Sequence, residues 1–139
     1  MKIFDFITRE KKKSAIARKL KGTPFCMFIW IPKNAGTSIY HELMHSIGMV
    51  RLKKADDVMC FSNCGAVTFG HYQVLSLLKL GVITQEYWNR AYKFAIIRNP
   101  YNRALSLYHY LTWGKNAPKY SIDHFLDDVI KNAPPIGCY

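Results

Sequence analysis

Three stretches of this sequence hold residue types that do chemistry when brought to the right place. The first is Trp30-Ile31-Pro32-Lys33-Asn34-Ala35-Gly36-Thr37-Ser38-Ile39. Gly36 lets backbone approach a ligand closely, Ala35 is scarcely larger, and Thr37 and Ser38 offer hydroxyls where a helix should begin. The free N–H groups of a first helical turn carry partial positive charge, so such a junction suits an anion. Lys33 adds a mobile full charge. The order differs from the GxxxxGK[ST] phosphate loop, where the lysine follows the second glycine. Here Lys33 precedes Gly36 by three residues and would approach an anion from the other side of the loop. The same residues would also serve an ordinary strand–turn–helix with a capping Thr or Ser and a solvent-facing Lys.

The second stretch runs over residues 94–108 and contains Arg98, Pro100 and Ser106. An arginine at a strand end can fork onto a phosphate bidentately. Pro100 fits the first position of a helix, where its missing N–H costs nothing. Ser106 lies two helical turns on. The third stretch is Phe69-Gly70-His71-Tyr72. A histidine at a strand end beside a glycine has the exposure and the titration range of a general base. His41 and Glu42 are the next candidates, and the alternative for His71 is that it orients a loop or binds substrate.

The elements that must position these residues follow from pattern. Residues 26–31 read as a buried strand, and 37–47 as a helix with Ile39, Leu43 and Ile47 on one face. Residues 66–69 read as a short strand before a helix at 73–80, and 92–97 as a strand before a helix at 100–112. A last helix is expected at 123–131, capped by Ser121. Strand then helix, three times over, predicts an α/β fold: a three-layer-type sandwich with a mostly parallel sheet and chemistry at the carboxyl ends of the strands.

Composition narrows the class. Half of the 139 residues are apolar, which is enough for an ordinary core, and 20 Lys plus Arg against 9 Asp plus Glu give a net charge of +11. That balance favours an anionic partner without naming it. No nucleic-acid motif appears, so no specific nucleic-acid partner is expected. Residues 1–22 carry eight basic groups and form a separate N-terminal segment, an amphipathic helix ended by Gly22, Thr23 and Pro24. It reads as a solvated surface helix, with peripheral contact with an anionic membrane as the sharper alternative. No apolar run is long enough for a membrane helix or a signal peptide, so the expected location is cytoplasmic with reduced thiols. Cys26, Cys60, Cys64 and Cys138 come without a histidine pair at zinc-like spacing, so no metal site is expected.

With both loops read, residues 23–139 resemble the sulfotransferases that use 3′-phosphoadenosine-5′-phosphosulfate (PAPS), most closely the carbohydrate-type branch that includes the heparan 2-O-sulfotransferases. The resemblance rests on Pro32-Lys33-Asn34-Ala35-Gly36-Thr37-Ser38 and on Arg98-Asn99-Pro100-Tyr101-Asn102-Arg103-Ala104-Leu105-Ser106. It implies a P-loop-like fold and transfer of a sulfuryl group to an acceptor hydroxyl, with a carbohydrate as the leaning and an aromatic or lipid acceptor left open by Trp88, Trp113 and the many tyrosines. It implies that Lys33 contacts the sulfate and the bridging oxygen, and that the loop from Lys33 through Asn34, Ala35, Gly36, Thr37 and Ser38 holds the 5′-phosphosulfate. Arg98 and Ser106 would then bind the 3′-phosphate, and His71 would take the acceptor proton. Domains of this kind are usually longer, and residues 134–139 read as the start of a loop, so three readings stand: a fragment, a minimal member, or a site completed by a second chain. The rival reading is a non-catalytic nucleotide-binding relative. A kinase is disfavoured because neither the second nor the third expected strand ends in a magnesium-holding carboxylate.

Overall fold

The computed structural model describes residues 3–113 and 121–132; Cys138 and the expected loop at 134–139 lie outside them. In chain order the elements are α1 (Ile3–Leu20), β1 (Cys26–Ile29), α2 (Gly36–Ile47), β2 (Val50–Arg51), α3 (Ala55–Val58), β3 (Ala66–Thr68), α4 (Val74–Lys79), α5 (Gln85–Arg90), β4 (Tyr92–Ala95), α6 (Pro100–Thr112) and α7 (Ile122–Asn132). They divide into two compact units, Met1–Ile96 and Ile97–Tyr139.

The first unit is built on a sheet of order β2-β3-β1-β4, parallel at every pairing. Strand β1 is central, with Cys26 and Met27 beside Ala66 and Val67 of β3, and residues 26–29 beside the whole of β4. Because side chains alternate along a strand, β1 serves two cores. Cys26, Phe28 and Trp30 share one with Met49 and Ala66, against which Ile39, Tyr40, Leu43 and Ile47 of α2 pack. Met27 joins the other, with Val67, Ile16 and Leu20 of α1, Val58 of α3, Leu77 of α4 and Tyr87 of α5. Helices therefore flank the parallel sheet in a three-layer α/β sandwich, as the alternating pattern predicts. The four-residue spacing of Ile39, Leu43 and Ile47 is the stripe that seats α2, and Gly48 ends that helix at φ 69, its N–H donating to the Leu43 carbonyl.

All three expected strands are shorter in the fold, β3 by the single residue Phe69. Strand β1 stops at Ile29 because the chain turns there, with the Ile31 N–H donating back to the Ile29 carbonyl at 3.2 Å. This frees Trp30 and Ile31 to begin the first loop. Strand β4 stops at Ala95, leaving Ile96 and Ile97 exposed. Three elements were not legible in the sequence: β2, α3 and α5 are two, four and six residues long, too short for periodicity to register.

In the second unit, α6 has the expected bounds. Pro100 occupies its first turn, and the Asn99 side-chain oxygen accepts from the N–H groups of Tyr101 at 3.0 Å and Asn102 at 3.4 Å. Ser121 caps α7 by accepting from the His124 N–H at 3.2 Å. Phe125 of α7 is buried, with its ring 5.6 Å from that of Tyr108 on α6. Among the described residues no helix is long and apolar enough to cross a membrane.

Candidate active site

The first loop bends sharply between the end of β1 and the start of α2. Lys33 (φ 64) and Ala35 (φ 58) both hold left-handed backbone conformations, which cost a residue with a Cβ about 1–2 kcal/mol each. Non-glycine residues in that region persist only where surrounding structure holds them, and they cluster at functional sites. Ala35 is itself the N-cap of α2 and has no side chain with which to cap it. The first intrahelical bond goes from the Ile39 N–H to the Ala35 carbonyl at 3.2 Å, so the N–H groups of Gly36, Thr37 and Ser38 point out of the helix end without an acceptor inside it. Thr37 and Ser38 are exposed, Lys33 is half-buried, and Asn34 is buried with its side-chain oxygen unpartnered among the described residues. No acidic residue occurs from 30 to 41. This donor set fits an anion of phosphate or sulfate type.

Gly36 is required here by contact. A Cβ on it would run into Nε1 and Cδ1 of the Trp30 indole, so the ring closes directly on the helix start. Trp30 is the hub of the site. Its ring stacks on Tyr40 of α2 at 5.7 Å and carries the Arg51 guanidinium, whose Cζ sits 4.0 Å from the ring centroid. The His71 imidazole meets it edge-on at 5.7 Å, and His71 Nδ1 lies 3.1 Å from the Trp30 carbonyl oxygen.

That last contact fixes the chemistry of the histidine. A carbonyl oxygen only accepts, so Nδ1 must carry the proton and donate it. The neutral ring then presents Nε2 as its proton acceptor. His71 is exposed and follows directly on β3 after Gly70, which turns the chain at φ 63. The structure thus brings His71 to the root of the first loop. His41 and Glu42 are exposed on α2. Arg98 and Ser106 belong to the second unit: Arg98 is exposed just before Asn99, and Ser106 is half-buried within α6.

Sequence reading missed Arg51 and the role of Trp30. Arg51 closes a two-residue strand, and its stacking on an indole some twenty residues earlier is a tertiary fact with no local signal. Cys26, buried below the loop, is no rival nucleophile, since burial pushes its thiol up from the usual range.

Separate comparisons with curated proteins and with solved structures each return no match. Set against known protein families, residues 20–128 match the Sulfotransferase family, a span that takes in the first loop, His71, Arg98 and Ser106. Sulfuryl transfer is the chemistry of that family, and this chain belongs to it.

Proposed function

We propose that the chain moves a sulfuryl group from PAPS to a carbohydrate hydroxyl in the cytoplasm. The observation that carries the reading is the acid-free first loop, whose left-handed turns open onto the uncapped amide end of α2. Such an end binds a doubly charged phosphate or a sulfate through backbone donors. In this reading the loop from Lys33 through Asn34, Ala35, Gly36, Thr37 and Ser38 takes the 5′-phosphosulfate, while Arg98 and Ser106 take the 3′-phosphate.

When bound, the donor supplies the transferable sulfuryl group. His71 Nε2 accepts the proton of the acceptor hydroxyl as its oxygen forms the new S–O bond, and Nδ1 stays anchored on the Trp30 carbonyl. Lys33 places positive charge where the departing oxygen gathers negative charge, assisted by the amides of α2. Transfers of this kind need positioning and charge stabilisation more than covalent help from the protein. The carbohydrate acceptor follows from the resemblance of the two loops, and the net charge of +11 is compatible with an anionic glycan.

Calorimetric titration with adenosine 3′,5′-bisphosphate, beside ATP and the Arg98→Ala variant, tests the donor site. Tight binding of the bisphosphate, indifference to ATP and loss in the variant are expected. No binding by the intact chain would sink the reading. Binding without turnover on any hydroxyl acceptor would favour the non-catalytic relative.

A second contact has its own observation. On α1, Phe6 and Ile7 are exposed and lie with Lys11, Ser14, Arg18 and one carboxylate, Glu10, along one groove, Glu10 being paired with Lys13 at 3.0 Å. Apolar groups among cations suit peripheral contact with an anionic bilayer. Co-sedimentation with anionic vesicles, but not with neutral ones, is the expected result.

A further inference from the structure

Beside His71 lies a cavity of about 320 Å³ lined by Arg51, Lys53, Phe69, Gly70, His71 and Tyr72. That volume is at the lower end of ligand pockets. Two cations and a histidine line it, and among the described residues no carboxylate does.

Arg51 is the unusual member. It shares register with Thr68 of β3, and its guanidinium is pressed onto the Trp30 ring. Its Nε is buried and has no hydrogen-bond partner among the described residues. Those residues also give it no salt bridge, and the carboxylates nearest in sequence, Asp56 and Asp57, pair instead with Lys12 at 3.6 and 3.0 Å. Stacking on the indole strips water from one face of the guanidinium without supplying an acceptor. A charged donor left in that condition is costly, and native proteins rarely leave one so. Gly70 borders the guanidinium: a Cβ there would stand at ordinary van der Waals distance from Arg51 Nε and Nη2, 3.9 and 4.0 Å.

We propose that Arg51 is the anchor of an oxyanion subsite in this cavity, taking a carboxylate or sulfate group through its Nε–H and an Nη–H, with Lys53 beside it. The geometry suits a fork onto two oxygens, which arginine makes better than lysine. Two molecules could bring such a group, the sulfuryl donor or an acceptor that carries its own anion next to the reacting hydroxyl. That the bound group would hold a hydroxyl against His71 rests on the proposed function. The anion subsite itself does not.

The test is a proton–nitrogen NMR titration of the full chain that follows the arginine Nε–H signals, with Arg51 identified by the signal lost in Arg51→Lys. Inorganic sulfate, acetate and adenosine 3′,5′-bisphosphate are added separately. At least one should shift the Arg51 Nε–H downfield in a saturable way, and Arg51→Lys, checked for folding by thermal unfolding, should bind that probe about tenfold more weakly. A response to acetate, a group the donor does not carry, assigns the site to the acceptor, and a response to sulfate alone assigns it to a sulfate group on either molecule. A response to the bisphosphate assigns it to the donor. An Arg51 signal unmoved by all three, or drifting without saturation, overturns the proposal. Arg98→Ala separates this outcome from failure of the donor reading, because it should remove bisphosphate binding and leave any sulfate response of Arg51 intact.

Discussion

Gly36 shows how much of the site hangs on one missing methyl group. The sequence reading assigned it close approach to a ligand; the structure shows that its near neighbour is Trp30, the ring that also bears Arg51 and meets His71. Gly36→Ala should therefore force the indole aside, destabilising the fold by about 1–3 kcal/mol in denaturant unfolding and weakening bisphosphate binding in the same protein. Tyr87 supports a second prediction. Its buried hydroxyl lies 3.3 Å from the carbonyl oxygens of both Cys26 and Gly65, and burial, aided by the Cys26 and Cys64 thiols, raises its pKa well above the ordinary 10.0. A group raised in the folded state stabilises fully below the unfolded value and loses that contribution as pH climbs beyond it. Stability should thus fall as pH rises above about 10, and Tyr87→Phe should flatten that decline, measured as unfolding midpoint against pH. Type and spacing alone offer Lys33, Thr37, Ser38, Arg98 and His71 as candidates, because charge and hydroxyls at a strand end suit an anion, although the loop residues would equally serve an ordinary capped turn. Arg51 and Trp30 could not, because what matters in them is a stacking partner and an orphaned donor.

Length decides most of what the sequence reveals among helices and strands, but not all of it: α4 and α5 are both six residues long, and only α4 is announced by its pattern. Helices α2, α6 and α7 span three turns or more, so a repeating stripe or a cap announces them; β2, α3 and α5 are set by packing against neighbours already in place. Helix α1 carries two faces. Its outer groove holds Phe6, Ile7, Glu10, Lys11 and Arg18, while Ile16 and Leu20 are buried against the sheet and Lys12 reaches Asp57 of α3. Leu20→Ala should cost about 2–5 kcal/mol in chemical unfolding, whereas a helix resting loosely on the surface would show almost no change. At the other end of the chain, Asn99 caps α6 directly after Arg98. Asn99→Ala should cost about 1 kcal/mol of helix stability, and it should also weaken bisphosphate binding if Arg98 depends on that turn for its aim. Circular dichroism and calorimetry on one sample would read both.

At the scale of the whole molecule, charge and topology set the behaviour. A net charge of +11 should draw the anionic nucleotide in from a distance. Raising ionic strength from about 0.01 to 0.15 M shortens the screening length from roughly 30 to 8 Å, and the bisphosphate association rate should fall with it in stopped-flow measurements. An unchanged rate would mean that the charge lies away from the site. The parallel sandwich was legible because strand and helix patterns alternate, yet the sheet order was not, since nothing local says which strand is central. That centre is β1, and its partners, residues 66–67 and 92–95, lie far downstream. Such distant pairing must overcome loop-closure entropy before it is rewarded. During synthesis, β1 and the loop after it leave the ribosome long before either neighbouring strand exists. The sheet that carries the anion cradle is incomplete until β4 has been translated, so this loop, written early in the message, gains its full support late.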